Sequence, residues 1–188
     1  MRRRQLDGSE QQSGLGHVTQ GTIANRDYRQ IIAPALEGLA HEDVLVVVST
    51  GGRAVDTLPT LPANARAAEY LPYDELLPRT DVFVTNGGYG GVQYALRYGV
   101  PIVTSSGKED KPEVAARVKW SGVGLRLNTE TPSADAVRQA VRRVLDQARY
   151  RTAAQAVASS MARSGGMEQL AGIIDRLSSQ KPSPESRQ

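Results

Sequence analysis

Residues 81 to 103 read DVFVTNGGYGGVQYALRYGVPIV, and four of the five positions from Gly87 to Gly91 are glycine. A β-branched run delivers the chain to Asn86, and helix-forming residues follow at once. Glycines 87, 88, 90 and 91 admit positive φ and leave room for a ligand at van der Waals distance. A helix opening here aims free N–H groups and a positive dipole end at the same place. The chemistry so favoured is anion binding by main-chain atoms, and a diphosphate fits it without a cationic side chain. Two glycines would serve a tight turn and close helix packing; four exceed that need.

The common phosphate motifs are absent. In the dinucleotide pattern G-x-G-x-x-G, Gly88 and Gly90 fill two places but Gln93 takes the third. The acidic ribose partner falls on Glu109 or Asp110, and neither ends a following strand. Gly107-Lys108 is followed by Glu109 rather than Ser or Thr, so no hydroxyl stands ready for magnesium. The absence of cysteine excludes disulfides, thiolate metal sites and cysteine nucleophiles. The two histidines, His17 and His41, are far apart in sequence and each stands alone.

Alternating elements must position the turn. HVTQ reads as a short strand, and DYRQIIAPALEGLA places Ile31, Ile32, Ala35, Leu36 and Leu39 on one helical face. Pro34 inside that pattern must kink the helix or shift its start. VLVVVST (44–50) reads as a strand buried on both faces. ARAAEY, DVFVTN, VPIVTS and VGLRL supply four more strands. Helices are predicted over GVQYALRYG and KPEVAARVKWSG, with Pro112 suited to a first turn and Gly122 to an end. From Ser133, a plausible N-cap, the chain reads as all helical. The fold class is therefore α/β: a Rossmann-like parallel sheet flanked by helices, with an all-helical C-terminal part. Ligands of such sheets lie beyond the carboxyl ends of the strands.

A length of 188 residues suits one domain. Its expected limits are a flexible lead-in over 1–16, a folded unit over 17–179 and a disordered tail over 180–188. The net charge is only +3, partly from MRRR at the N-terminus, and there is one Phe and one Trp. Scattered arginines without interleaved aromatics set nucleic acid aside. No secretory h-region appears and no apolar run approaches membrane-spanning length, so a cytoplasmic location is expected.

Taken together, VFVTNGGYGGVQYALRYGVPIV, EDKPEVAARV and GVGLRL resemble the C-terminal, donor-binding half of GT-B nucleotide-sugar glycosyltransferases. The likeness is to bacterial relatives of the UDP-glycosyltransferases that decorate macrolides and other natural products, and it runs from about Val18 to Leu177. The family pattern His-His-Gly-Gly-x-Gly-Thr falls on Thr85, Asn86, Gly87, Gly88, Tyr89, Gly90 and Gly91, with both histidines and the final Thr replaced. The resemblance implies diphosphate contacts from Asn86, Gly87, Gly88, Gly90 and Gly91, joined by Gly21 and Thr22 of VTQGT. It implies that Tyr70 and Leu71 of EYLPYDELLP hold the base, with Tyr73 in place of a Gln. Asp110 and Lys111 match the pair that binds the donor sugar; Lys111 replaces an amide.

The implied donor is a UDP-sugar or dTDP-sugar, used without cofactor or metal. The implied reaction is inverting transfer to a hydroxyl of a small-molecule acceptor. Catalytic base and acceptor site belong to an N-terminal domain in this family, so no catalytic residue is expected in this chain. Nucleotide sugar and that second domain are the expected partners, with self-association of the chain also open. Two other readings stand beside this one: a non-catalytic nucleotide-binding or assembly module, and half of a nucleotide-sugar epimerase.

Overall fold

The computed structural model describes residues 14–23, 25–108 and 110–179. Glu109, the tail from 180 and most of the expected lead-in lie outside them. Six strands form one sheet: β1 (Leu15–Thr19), β2 (Leu45–Ser49), β3 (Ala65–Ala68), β4 (Val82–Thr85), β5 (Ile102–Thr104) and β6 (Gly124–Arg126). Every pairing is parallel and the order is β3-β2-β1-β4-β5-β6. The chain thus winds outward from β1 and returns to the centre with β4, which creates a topological switch point between them.

The register lines up the last residues of the inner strands. Ser49 pairs with Thr19, Thr19 with Thr85, and Thr85 with Thr104. A row of hydroxyls therefore closes the carboxyl end of the sheet, one step beyond the valine row of Val48, Val18, Val84 and Val103. All four hydroxyl residues are buried, so each needs a hydrogen-bonding partner.

Among the described residues there are seven α-helices: α1 (Ile32–Gly38), α2 (Tyr73–Leu76), α3 (Tyr89–Arg97), α4 (Lys111–Trp120), α5 (Ala134–Asp146), α6 (Ala148–Arg163) and α7 (Gly166–Ser179). α1 and α5 cover the face that carries Val18, Val48, Val84 and Val103. α3, α4 and α6 cover the face of Phe83 and Ile102. Pro34 resolves by shifting the helix start: α1 opens at Ile32, so its third residue lacks an N–H that no helical carbonyl would have used. A short 3-10 turn, Tyr28–Gln30, occupies the sequence before it. Ser133 caps α5, accepting from the Ala136 N–H at 3.2 Å.

Two expectations are corrected. The first strand begins at Leu15, inside the stretch read as lead-in. His17, which HVTQ set at the start of that strand, sits in its middle and is fully buried. Its ring is edge-on to Tyr73 at 5.5 Å and tilted against Phe83 at 5.4 Å. The Nδ1 atom lies 2.9 Å from the Val47 carbonyl, which can only accept, so Nδ1 carries the proton. Burial pulls the His17 pKa down to about 4, against a smaller opposing pull from that hydrogen bond, and the imidazole is neutral. His41 is exposed in the turn before β2.

Candidate functional site

A hollow of about 460 Å³ opens above the carboxyl ends of β1, β2 and β4. Its walls include Gly21, Thr22, Tyr70, Leu71, Asn86, Gly88, Gly90 and Gly91, so turns distant in sequence converge there. The strand order explains this, because it sets β1 and β4 side by side although more than sixty residues separate them.

The four glycines divide into two pairs. Gly87 alone has a left-handed backbone, at φ +93°, and a Cβ there would come 2.9 Å from Thr104 Oγ1. Gly91 faces inward, where a Cβ would lie 3.3 Å from Phe83 Cζ. These two serve the turn and the packing of α3 on β4. A Cβ at Gly88 or Gly90 would meet nothing within 4 Å. Both open toward the hollow, and packing does not require either to be glycine. Of the four glycines read as admitting positive φ, Gly87 alone adopts it.

Gly88 is the N-cap of α3 and offers no side-chain cap. The first helical hydrogen bond runs from the Val92 N–H to the Gly88 carbonyl at 3.2 Å. The N–H groups of Tyr89, Gly90 and Gly91 therefore have no intrahelical acceptor. They combine with the helix dipole into a positive spot without a formal charge.

The turn after β1 has the same opening. Thr19-Gln20-Gly21 and Thr85-Asn86-Gly87 both carry a Thr whose hydroxyl accepts from the glycine N–H, at 3.2 Å and 3.3 Å. Both glycines are left-handed. Gly21 and Gly87 thus spend their own amides within the turn, and what Gly21 gives the hollow is space. Both middle amides are buried and brace the scaffold, Gln20 away from the hollow and Asn86 from within its wall. Gln20 Oε1 accepts from the N–H groups of Ile31 (3.3 Å) and Ile32 (3.2 Å), and its Nε2 donates to the Asp27 carbonyl (2.9 Å). Asn86 Nδ2 donates to Gln30 Oε1 at 3.2 Å.

Tyr70 is exposed over two-thirds of its surface. Its hydroxyl rests against Gly52, where a Cβ would collide with it and where φ is +92°. Asn25 pins the neighbouring turns, its Nδ2 donating to the carbonyls of Thr50 (2.9 Å), Gly21 (3.1 Å) and Gly51 (3.3 Å).

Asp110 and Lys111 do not line the hollow. Asp110 is exposed at the N-cap of α4, with no capping bond from its carboxylate. Lys111 is buried, and its stem lies against Gly87 and Gly107. The loop before α4 thus stands behind the glycine turn.

Sequence reasoning missed several wall residues. Thr19, Ser49 and Thr85 come from the hydroxyl row, and Tyr94 from α3. The repeated Thr-x-Gly spacing of Thr19-Gln20-Gly21 and Thr85-Asn86-Gly87 is the unused signal for Thr19 and Thr85; Ser49 and Tyr94 carry none. Tyr73, noted only as standing in for a Gln, is half-buried beneath the hollow and edge-on to Tyr94 at 5.5 Å. Burial pushes its phenol pKa up, and hydrogen bonds with Thr19 and Ser49 partly oppose this. Ser49 Oγ in turn donates to Thr19 Oγ1 at 3.0 Å, and Thr19 Oγ1 donates to the Ser49 carbonyl at 3.0 Å. Among the described residues no cluster of three or more His, Cys, Asp or Glu side chains forms a metal site.

Residues 33–177 match the family model described as "Erythromycin biosynthesis protein CIII-like, C-terminal domain". The chain is 46% identical over 161 residues to a 4'-demethylrebeccamycin synthase of Lentzea aerocolonigenes. It is 42% identical over 166 residues to UDP-glucosyltransferase B1 of Starmerella bombicola. Each alignment covers 86% of this chain and 38% of the relative, so the chain spans well under half their length. Among solved structures, the glycotransferase of kitacinnamycin superposes with a TM-score of 0.80 at 27% identity, covering 94% of this chain and 47% of that one. Glycosyltransferase VinC, solved in complex with dTDP, superposes with a TM-score of 0.75 at 25% identity, covering 89% and 42%. With the sheet order and the paired turns, these likenesses assign the chain to the erythromycin biosynthesis protein CIII-like C-terminal domain family, one half of a GT-B glycosyltransferase.

Proposed function

We propose that residues 17–179 hold a nucleoside diphosphate sugar in the crevice above β1 and β4. One observation carries this reading. Gly88 and Gly90 are glycine without a packing reason, and they open on the hollow beside the free amides of α3. The diphosphate lies on those amides. The base lies on the Tyr70 ring and the Leu71 backbone, in the manner of a flat ring on an aromatic face. Asp110 and Lys111, which lie outside the wall of the hollow, are assigned to the sugar on the family likeness, and a carboxylate suits hydroxyls because it accepts from two at once.

The donor is a UDP-sugar or a dTDP-sugar, and the protein works in the cytoplasm. Transfer is inverting, to a hydroxyl of a small-molecule acceptor, and no histidine lines the hollow to serve as base. A partner domain therefore supplies the base and the acceptor site. The α3 amides stabilise the departing diphosphate without a metal. One observation favours a binding module without transfer: Asp110 stands exposed outside the hollow.

Calorimetric titration with UDP and dTDP tests the reading. A Gly90→Val side chain enters the hollow without touching the packing, and it is expected to weaken nucleotide binding by at least about 100-fold, close to 3 kcal/mol. Asp110→Ala is expected to leave UDP and dTDP binding unchanged and to weaken binding of the sugar-bearing form. No binding by the folded, unaltered chain removes the donor-site reading.

A further inference from the structure

We infer that Gln30 and Glu130 are positioning residues for Asn86, joined to it in a polarity-fixing relay; this rests on the donor-site reading above. Asn86 lines the hollow and is buried. Its Nδ2 donates to Gln30 Oε1 at 3.2 Å, and Gln30 Nε2 donates to Glu130 Oε1 at 3.2 Å. The three residues come from three places: the turn after β4, the 3-10 turn before α1, and the loop after β6. In sequence, Gln30 lies 56 positions from Asn86, which donates to it, and 100 from Glu130, which accepts from it.

The chemistry gives the relay a direction. A primary amide can rotate by half a turn and exchange its donor and acceptor ends at little cost. An ionised carboxylate cannot, because it only accepts. Glu130 therefore holds the Gln30 NH₂ toward itself, which turns Gln30 Oε1 toward Asn86. That oxygen in turn holds the Asn86 NH₂ toward Gln30. One charged group at the end of the line thus fixes two neutral amides, the last of them in the wall of the hollow. The loop that carries Glu130 is itself anchored, since the Thr129 carbonyl accepts from the Ser106 N–H at 3.1 Å.

An exchange of polarity tests this. Gln30→Glu sets two carboxylates face to face and is expected to weaken UDP or dTDP binding by about tenfold, more than the roughly fivefold of Gln30→Ala. Combining Gln30→Glu with Glu130→Gln restores a donor opposite an acceptor. The pair is expected to bind within about twofold of the unaltered chain. A purely structural role for Gln30 would not produce this rescue.

Side-chain amide NMR of the ligand-free chain reads the relay independently. The Asn86 NH₂ signals should shift in Gln30→Glu and return in the double variant. Asn86 signals indifferent to Gln30 overturn the relay. Nucleotide binding indifferent to Gln30→Glu, or a double variant no better than the single one, overturns the positioning role alone. No binding by the unaltered chain overturns the donor-site reading, and the positioning role falls with it.

Discussion

The turns after β1 and β4 start alike and end differently. Each opens with Thr-amide-Gly, each Thr hydroxyl takes up the glycine N–H, and each glycine is left-handed. After Gly87 the chain enters α3 at Tyr89, so free helical amides face the hollow. After Gly21 the 3-10 turn Tyr28–Gln30 intervenes and α1 starts only at Ile32, and the amide side chain of Gln20 caps that later start. The same local motif therefore opens a helix onto the hollow in one place, the proposed ligand platform, and is a brace in the other. What separates them is how soon a helix follows.

The largest effect should come from crowding the β1 turn against its neighbour, the turn after β2. A Cβ at Gly51 would run into the Gly21 carbonyl, and φ there is +69°. Gly51→Ala is expected to destabilise the fold by at least about 3 kcal/mol, read by denaturant melts. Melts unchanged by that substitution would show the β1 turn free to move.

Acid should act beneath the β1 turn. The His17 pKa is about 4 in the folded chain against an ordinary 6.5, so the unfolded chain binds the extra proton first. Stability contributed by neutral His17 is complete above about pH 6.5 and lost as pH falls toward 4, by roughly 3 kcal/mol. His17→Asn should remove that slope from a pH series of melts, whatever it does to their absolute position.

The brace and the platform should then separate under equal changes. Gln20→Ala leaves two N–H groups at the start of α1 without their acceptor, which costs about 2 kcal/mol of stability. Asn86→Ala should cost less stability and more nucleotide affinity, and equal losses in both assays would dissolve the distinction.

The smallest effect belongs to the shared hydroxyls. Thr85→Val removes one bond to Gly87 and should cost about 1 kcal/mol. Thr19→Val should cost more, since Thr19 also exchanges hydrogen bonds with Ser49.

Much of this architecture is legible in the residues. Valine and isoleucine runs announce the inner strands, Pro34 dates the start of α1, and Ser133 marks a cap that forms. The glycine turn reads as a candidate anion platform because its composition exceeds what packing demands. The division of labour within it was not, since Phe83 and Thr104 decide which glycines are structural and both reach the turn through tertiary contact. His17 escaped for a related reason. A single imidazole in a short apolar stretch carries no mark of burial until Val47, Tyr73 and Phe83 surround it. Tyr94 and Ser49 reach the hollow only through the strand order, which no local pattern encodes.

Because the proposed platform is built from main-chain amides, its mutational grammar is lopsided. At Gly88 and Gly90 there is no side chain to delete, so an alanine scan has little to report there beyond the added methyl. Damage comes by addition, growing with the bulk placed in the hollow rather than with its polarity. Drift among small residues would leave such a site working while erasing the glycine signature by which it was read.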